Sequence, residues 1–321
     1  MDDPPRKIEI FAPFSAAIDL TKVILFQPFD IAKWLVIGFA AFLANLVGGG
    51  GGNYRFSKNF SSAGDWKFHS VSRDFGDSSS GWPAWVWPLI IIGGLLMIAV
   101  VFALMWVGAR GKFLFADCVV RNRAAIVEPW REFAREGNSY FRFLLLAALC
   151  VILALGLAGA PLLIPFALHG DWPSGVGLFV GVFFLGIFAI AAAAWLHLVS
   201  RFMIPIMYRQ RCDATTAFRE SNALVTRHPG PVLLYLLFSV VLGAAFVAIA
   251  CVLTCITCCI TAIPYVGTVI LLPVYVFFMA FLLLFVRQFG PEYDSWATVA
   301  PLQPTPTLTD PPTTEPPPIL P

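Results

Sequence analysis

Four of the seven cysteines crowd one stretch of the chain, at Cys251, Cys255, Cys258 and Cys259. Cys255 and Cys258 have the spacing of a dithiol-disulfide pair or of half a zinc site. In an oxidising compartment such a pair would close as a disulfide. A zinc site wants four ligands, and no histidine or second cysteine pair lies near in sequence. Cysteine is also a small apolar residue that packs readily inside helices. The redox and the packing readings stand side by side. The second group that carries chemistry is basic: Arg121, Arg123, Arg131 and Arg135 share one short connector. Near a bilayer surface each such side chain attracts anionic headgroups by about 1 kcal/mol. These four are candidate lipid headgroup contacts, although the setting of topology alone would also place arginines there.

The four histidines, His69, His169, His197 and His228, have no partners for catalysis in the pattern around them. No Ser-His-Asp spacing, H-E-x-x-H run or Walker-type glycine loop accompanies them. No catalytic residue and no cofactor is expected.

Composition says where such residues must sit. The chain is 59% hydrophobic and 12% charged over 321 residues, with mean hydropathy +0.80. Soluble domains carry about 25% charged residues, so this chain lacks the charge to cover a water-facing surface. The net charge of +2 offers no basic field for nucleic acid. Met-Asp-Asp-Pro-Pro at the start lacks the basic and apolar regions of a signal peptide.

A spanning helix takes about 20 apolar residues. Six stretches read as spans: 31–47, 87–107, 143–163, 176–198, 232–255 and 268–286. None carries Asp, Glu, Lys or Arg away from its ends. Each is apolar all round and must be helical, because lipid leaves backbone groups no other partner. Alternate connectors divide the 21 basic residues unevenly. Only Arg55, Lys58, Lys67 and Arg73 fall on the outer side. The positive-inside rule then puts both termini in the cytoplasm.

Three short amphipathic segments precede inward-to-outward spans. The first runs from Ser15, read as a cap, to a stop at Pro28. The second starts at Pro129 and ends at Gly137. The third starts at Asp213 as N-cap and stops at Pro229-Gly230. Such helices lie in the membrane interface. The expected fold is therefore an all-α, polytopic transmembrane bundle of about six spans. Its layout suggests three repeats of interfacial helix plus hairpin. Pro161 and Pro165 are expected to end or kink the third span. Residues 1–296 form the membrane domain, and 297–321, rich in proline and threonine, a disordered cytoplasmic tail.

Several pieces have a more specific character. They are VVRNRAAIVEPWREFAREGN at Val119–Asn138, RFMIPIMYRQRCDATTAFRE from Arg201, TRHPGPVLLYLLF, PYVGTVILLPV and RQFGPEYD. Together they resemble an uncharacterised prokaryotic multi-pass membrane protein family. In layout that family is similar to the membrane domain of some glycerophosphodiester phosphodiesterases. The resemblance implies a helical domain in a bacterial or archaeal cell membrane and carries no activity with it, since no soluble phosphodiesterase domain is seen.

The expected function is that of a non-enzymatic membrane protein. Its partners are membrane lipids, or other membrane proteins, met through the cytoplasmic amphipathic helices. A small-molecule permease and an outward-facing thiol-disulfide protein are the alternatives.

Overall fold

The computed structural model describes residues 9–46, 86–169, 175–256 and 263–297. Every element among them is helical. In chain order they are α1 (Phe11–Phe26), α2 (Ile31–Asn45), α3 (Val86–Val120), α4 (Val127–Glu132) and α5 (Ala134–His169). Then come α6 (Gly175–Gln210), α7 (Ala214–Arg227), α8 (Pro229–Ile256), α9 (Pro264–Ile270) and α10 (Leu272–Arg287). A single 3-10 turn follows at Pro291–Tyr293.

Length divides the molecule into two zones. Helices α3, α5 and α6 have 35, 36 and 36 residues. At 1.5 Å per residue each is about 52–54 Å long, well beyond a hydrocarbon core of about 30 Å. One end of each is a shaft with its large apolar side chains exposed: Trp87–Leu104 on α3, Leu146–Leu157 on α5 and Phe179–Trp195 on α6. Helix α8 is the same from Leu233 to Val252. Such continuous apolar surface is untenable in water and natural in lipid.

The other end of each long helix is a packed base. Phe113–Val120 of α3 and Phe202–Met207 of α6 are buried there. They pack with Ile37, Ala40 and Ala41 of α2 and with Val276–Val286 of α10. Phe14 of α1 meets Phe238, Phe277 and Phe281 edge-on. Glu9 and Gln288 exchange two 2.8 Å hydrogen bonds, so α1 begins where α10 ends.

Four helices, α3, α5, α6 and α8, are long and apolar enough to cross a membrane. The first and last expected spans are shorter, with 15 residues in α2 and 16 in α10. Both lie against the base core rather than in exposed shafts. Helix α9 precedes α10, with a break at Leu271.

Several expected boundaries move. The helices that carry the second and fourth expected spans run beyond them: α3 continues past 107 to Val120, and α6 continues past Leu198 to Gln210. These extensions carry charges: Lys112 and Asp117 are buried, and Arg110, Arg201 and Arg209 are partly exposed. Ser15 is not a cap: α1 begins at Phe11, and the Ser15 hydroxyl bonds back to the Ala12 carbonyl at 3.1 Å. Gly137 is not a stop but lies inside α5, where a methyl would sit 2.7 Å from Cγ of Arg110. Helix α5 also runs on through Pro161 and Pro165. Asp213 does hold the N-cap position of α7, but the Ser139 hydroxyl, not its own carboxylate, accepts the Ala214 N–H at 3.0 Å. The Gly-rich connector 48–81 and the tail after 297 lie outside the described residues.

Candidate functional site: the charged base of the long helices

The base holds Asp117, an acidic residue with no solvent exposure. The buried apolar residues Phe113–Ala116 and Cys118–Val120 of α3 flank it, and an unpaired carboxylate there would be prohibitive. Arg121 lies one turn on, with Nε 3.1 Å from Oδ1 of Asp117. Arg123 places its Nε 3.0 Å from Oδ2. Tyr208, near the end of α6, donates its hydroxyl to Oδ1 at 3.0 Å.

Glu132 of α4 forms a second focus. Arg121 grips it with two bonds, of 3.1 and 2.8 Å. Such a planar fork on a carboxylate is the strongest geometry for an ion pair. Arg211 also bonds Glu132, and its Nη1 lies 3.7 Å from Glu136. Arg123 reaches Glu128 at 2.8 Å. Three guanidiniums thus face four carboxylates, joining α3, α4, α5 and the end of α6.

Local backbone aims these groups. Asn122 and Arg211 have φ of 49° and 53°, the left-handed region that side chains resist. Asparagine tolerates it, and its side chain accepts a 2.7 Å bond from Lys33. Arg211 has no such excuse, and strain of about 1–2 kcal/mol is offset by its carboxylate partners. Its guanidinium also covers the Phe133 ring at 3.8 Å. Phe133 stacks on Tyr208 at 4.9 Å, so an aromatic layer continues the ionic one.

The electrostatics follow from the contacts. Burial opposes ionisation of Glu132, but Arg121 and Arg211 outweigh it and hold the carboxyl below its ordinary value. Burial also works against the charges of Arg121 and Arg123, yet their carboxylate partners raise both. Burial and then Glu220 push the Cys212 thiol up, away from a reactive thiolate. The network offers paired charge and no nucleophile.

The four candidate arginines therefore divide. Arg121 and Arg123 are engaged with carboxylates inside the base. Arg131 is exposed on α4. Arg135 is 72% exposed and meets the exposed Asp213 at 3.3 Å. Cys258 and the side chain of Cys255 lie outside the described residues. Among the described residues no group of acidic, histidine and cysteine side chains is arranged to hold a metal.

Sequence reading did not find Asp117, Glu132, Tyr208 or Arg211 as partners. The one available signal was Asp117 itself, a lone carboxylate inside the apolar run Phe113–Val120.

An apolar crevice of about 310 Å³ lies between α5 and α6. Leu146, Ala154, Phe188 and Leu196 are among its walls, with Phe143 and Phe218 5.1 Å apart at one end. Next in sequence to those two rings are Arg142 and Arg219, both exposed.

Exposed apolar shafts on a charged, packed base define an all-helical, membrane-embedded protein. The chain belongs to a family of unknown function (DUF7544), whose model matches residues 9–295. No curated protein and no solved structure matches it.

Proposed function

We propose that this chain is a non-enzymatic, multi-pass domain of the cell membrane that binds anionic lipid around its base. One observation carries the reading. Arg131, Arg142, Arg219 and Arg227 are exposed at the base, and among the described residues none has a carboxylate within ion-pair distance. Arg135 joins them through its loose surface pair with Asp213. The crevice between α5 and α6 supports it, since its apolar walls suit an acyl chain rather than a polar permease substrate.

The proposal includes six crossings, with α2 and the α9–α10 pair as the first and last, and cytoplasmic termini. The bonds between Glu9 and Gln288 favour an even number of crossings, and the basic residues favour a cytoplasmic base. The order α1 then α2–α3, α4 then α5–α6, and α7 then α8–α10 fits three repeats, although α4 has only six residues. The outward thiol-disulfide alternative depends on Cys255 and Cys258.

The test uses the full chain in proteoliposomes with spin-labelled phosphatidylglycerol or phosphatidylcholine. The motionally restricted fraction should favour the anionic lipid several-fold, at about 1 kcal/mol per basic residue near the surface. Replacing Arg131, Arg142, Arg219 and Arg227 together by Gln should abolish the preference. An unchanged preference in that variant, or none in the wild type, overturns the reading.

A further inference from the structure

Where the apolar shaft of α3 meets the base, one guanidinium sits in an aromatic cradle. Arg110 follows Trp106 by one turn of α3, and its guanidinium carbon lies 4.5 Å from the centroid of that ring. Trp130 of α4 stands at 89° to Trp106, with centroids 6.0 Å apart, and the same guanidinium lies 5.3 Å from its centroid. Asn138 of α5 completes the cradle. Its Oδ1 accepts the indole N–H of Trp106 at 2.8 Å and the Nε–H of Arg110 at 3.0 Å. Gly137 lets α5 come this close, because a methyl there would lie 2.7 Å from Cγ of Arg110. Residues of three helices thus fix the orientation of one side chain.

These bonds use only part of what the cradle can donate. A guanidinium has five N–H donors, and Arg110 commits the one on Nε. Among the described residues neither Nη nitrogen has a hydrogen-bond acceptor, and neither is sealed from its surroundings. Because Oδ1 of Asn138 takes two donors, its Nδ2 amide is the free end, likewise unpartnered among the described residues and open. The charge is also unanswered. Among the described residues Arg110 has no carboxylate within ion-pair distance, whereas Asp117, Glu128, Glu132 and Glu136 pair with Arg121, Arg123 and Arg211. The rings cover the flat faces of the guanidinium, and its Nη edge is what remains for an anion.

Depth selects the anion. Leu104 is the last exposed large apolar residue of α3, so the Arg110 backbone lies about 9 Å past the shaft. A helical side chain leans toward the helix N-terminus, which here carries the guanidinium back over Trp106 toward the shaft. The headgroup layer beyond the hydrocarbon is about 5–8 Å deep on each side. Tryptophan favours the same depth. The open donors of Arg110 and Asn138 therefore lie at the level of lipid phosphates.

We propose that Arg110, backed by Asn138, is a binding site for the phosphodiester group of a membrane phospholipid. The two Nη groups form a fork on two phosphate oxygens, and the Asn138 amide adds a neutral donor. The site depends on the same placement of the base at the lipid headgroups as the reading above, but not on the exposed arginines. One cation meets the phosphate that all phospholipids share, so this site reads phosphate rather than net negative charge.

Thermal unfolding of the full chain in maltoside micelles tests it, titrated with dioctanoyl phosphatidylcholine, with dioctanoylglycerol, which lacks the phosphate, or with inorganic phosphate. A ligand that binds only the folded state raises Tm saturably. The phospholipid should do so, and the other two should not. Arg110→Gln and Asn138→Asp should each weaken that binding by about tenfold or more, as expected for a lost charged hydrogen bond. Asn138→Asp separates binding from folding, since its carboxylate still accepts both N–H groups while it neutralises Arg110 and removes the amide donor. The quadruple variant at Arg131, Arg142, Arg219 and Arg227 should keep the saturable shift, even where it loses the anionic preference that tests the surface reading. The proposal is overturned by no saturable shift with the phospholipid, by equal saturation with dioctanoylglycerol or with inorganic phosphate, by undiminished binding in Asn138→Asp, or by loss of the shift in the quadruple variant.

Discussion

Glycines at the base of the molecule and glycines in the apolar shafts have opposite surroundings. A methyl on Gly111 would lie 2.6 Å from the backbone carbonyl carbon of Leu43 and 2.7 Å from the amide nitrogen of Ala44. One on Gly38 would lie 2.8 Å from a Val269 methyl. In the shafts, a methyl on Gly93, Gly94, Gly156, Gly186 or Gly243 meets no atom of the protein within 4 Å. Between helices in lipid there is little hydrophobic drive, so association rests on close backbone approach and polar contacts. The base has both. Among the described residues, these five shaft glycines show no such approach, and lipid surrounds the exposed shaft faces. The stability that belongs to the protein itself therefore resides in the base.

The largest test removes the charge at the centre of the base. Asp117→Ala leaves Arg121, Arg123 and the Tyr208 hydroxyl facing an emptied, fully buried position. Losing one partner of a buried ion pair costs about 3–5 kcal/mol. Unfolding of the purified chain in mixed micelles with a denaturing detergent should show that loss. A change below about 1 kcal/mol would mean that these pairs behave like exposed ones, which contribute little. The base would then be no firmer than the shafts.

A smaller effect probes the packing without touching a charge. Gly111→Ala forces the new methyl against α2 backbone, which cannot rotate away as a side-chain tip would. Overpacking of this kind costs about 1–3 kcal/mol. The same unfolding measurement checks it. A neutral result would show that α2 and α3 can separate freely and that their contact does not hold the base together.

The shafts were legible in the sequence and the base was not, for a physical reason. A run such as Leu89–Val107 declares itself by composition, because lipid demands apolar residues on every side. In the base, the same helices carry Arg110, Lys112, Asp117 and Arg201, and a one-dimensional reading assigns such residues to water-facing connectors. What holds the base together is pairing across distant segments: Asp117 with Tyr208, Lys112 with Tyr140, Arg211 with Glu132, Ser139 with Ala214. No local spacing encodes those pairs. Gly137 shows the same ambiguity within one residue. Its composition suggests a helix stop, and its actual role is to let Arg110 pass, where that guanidinium stacks on Trp106 at 4.5 Å. The family assignment covers residues 9–295, shafts and base alike.

The smallest effect is the counterpart of Gly111→Ala in a shaft. Gly94→Ala adds a methyl that meets no protein atom. Glycine weakens a helix interior relative to alanine by about 0.5–1 kcal/mol, so the substitution should be neutral or stabilising by up to that amount. Unfolding in the same micelles gives the sign. Its neighbours Leu95 and Leu96, 62% and 65% exposed, point to the same open surface. The opposite signs at Gly111 and Gly94 form the discriminating pair, because both residues lie on one helix and the chemical change is identical. A loss of several kcal/mol at Gly94 would show that something packs against the α3 shaft, such as a second copy of the chain. The shafts would then be an assembly surface rather than a lipid-facing one.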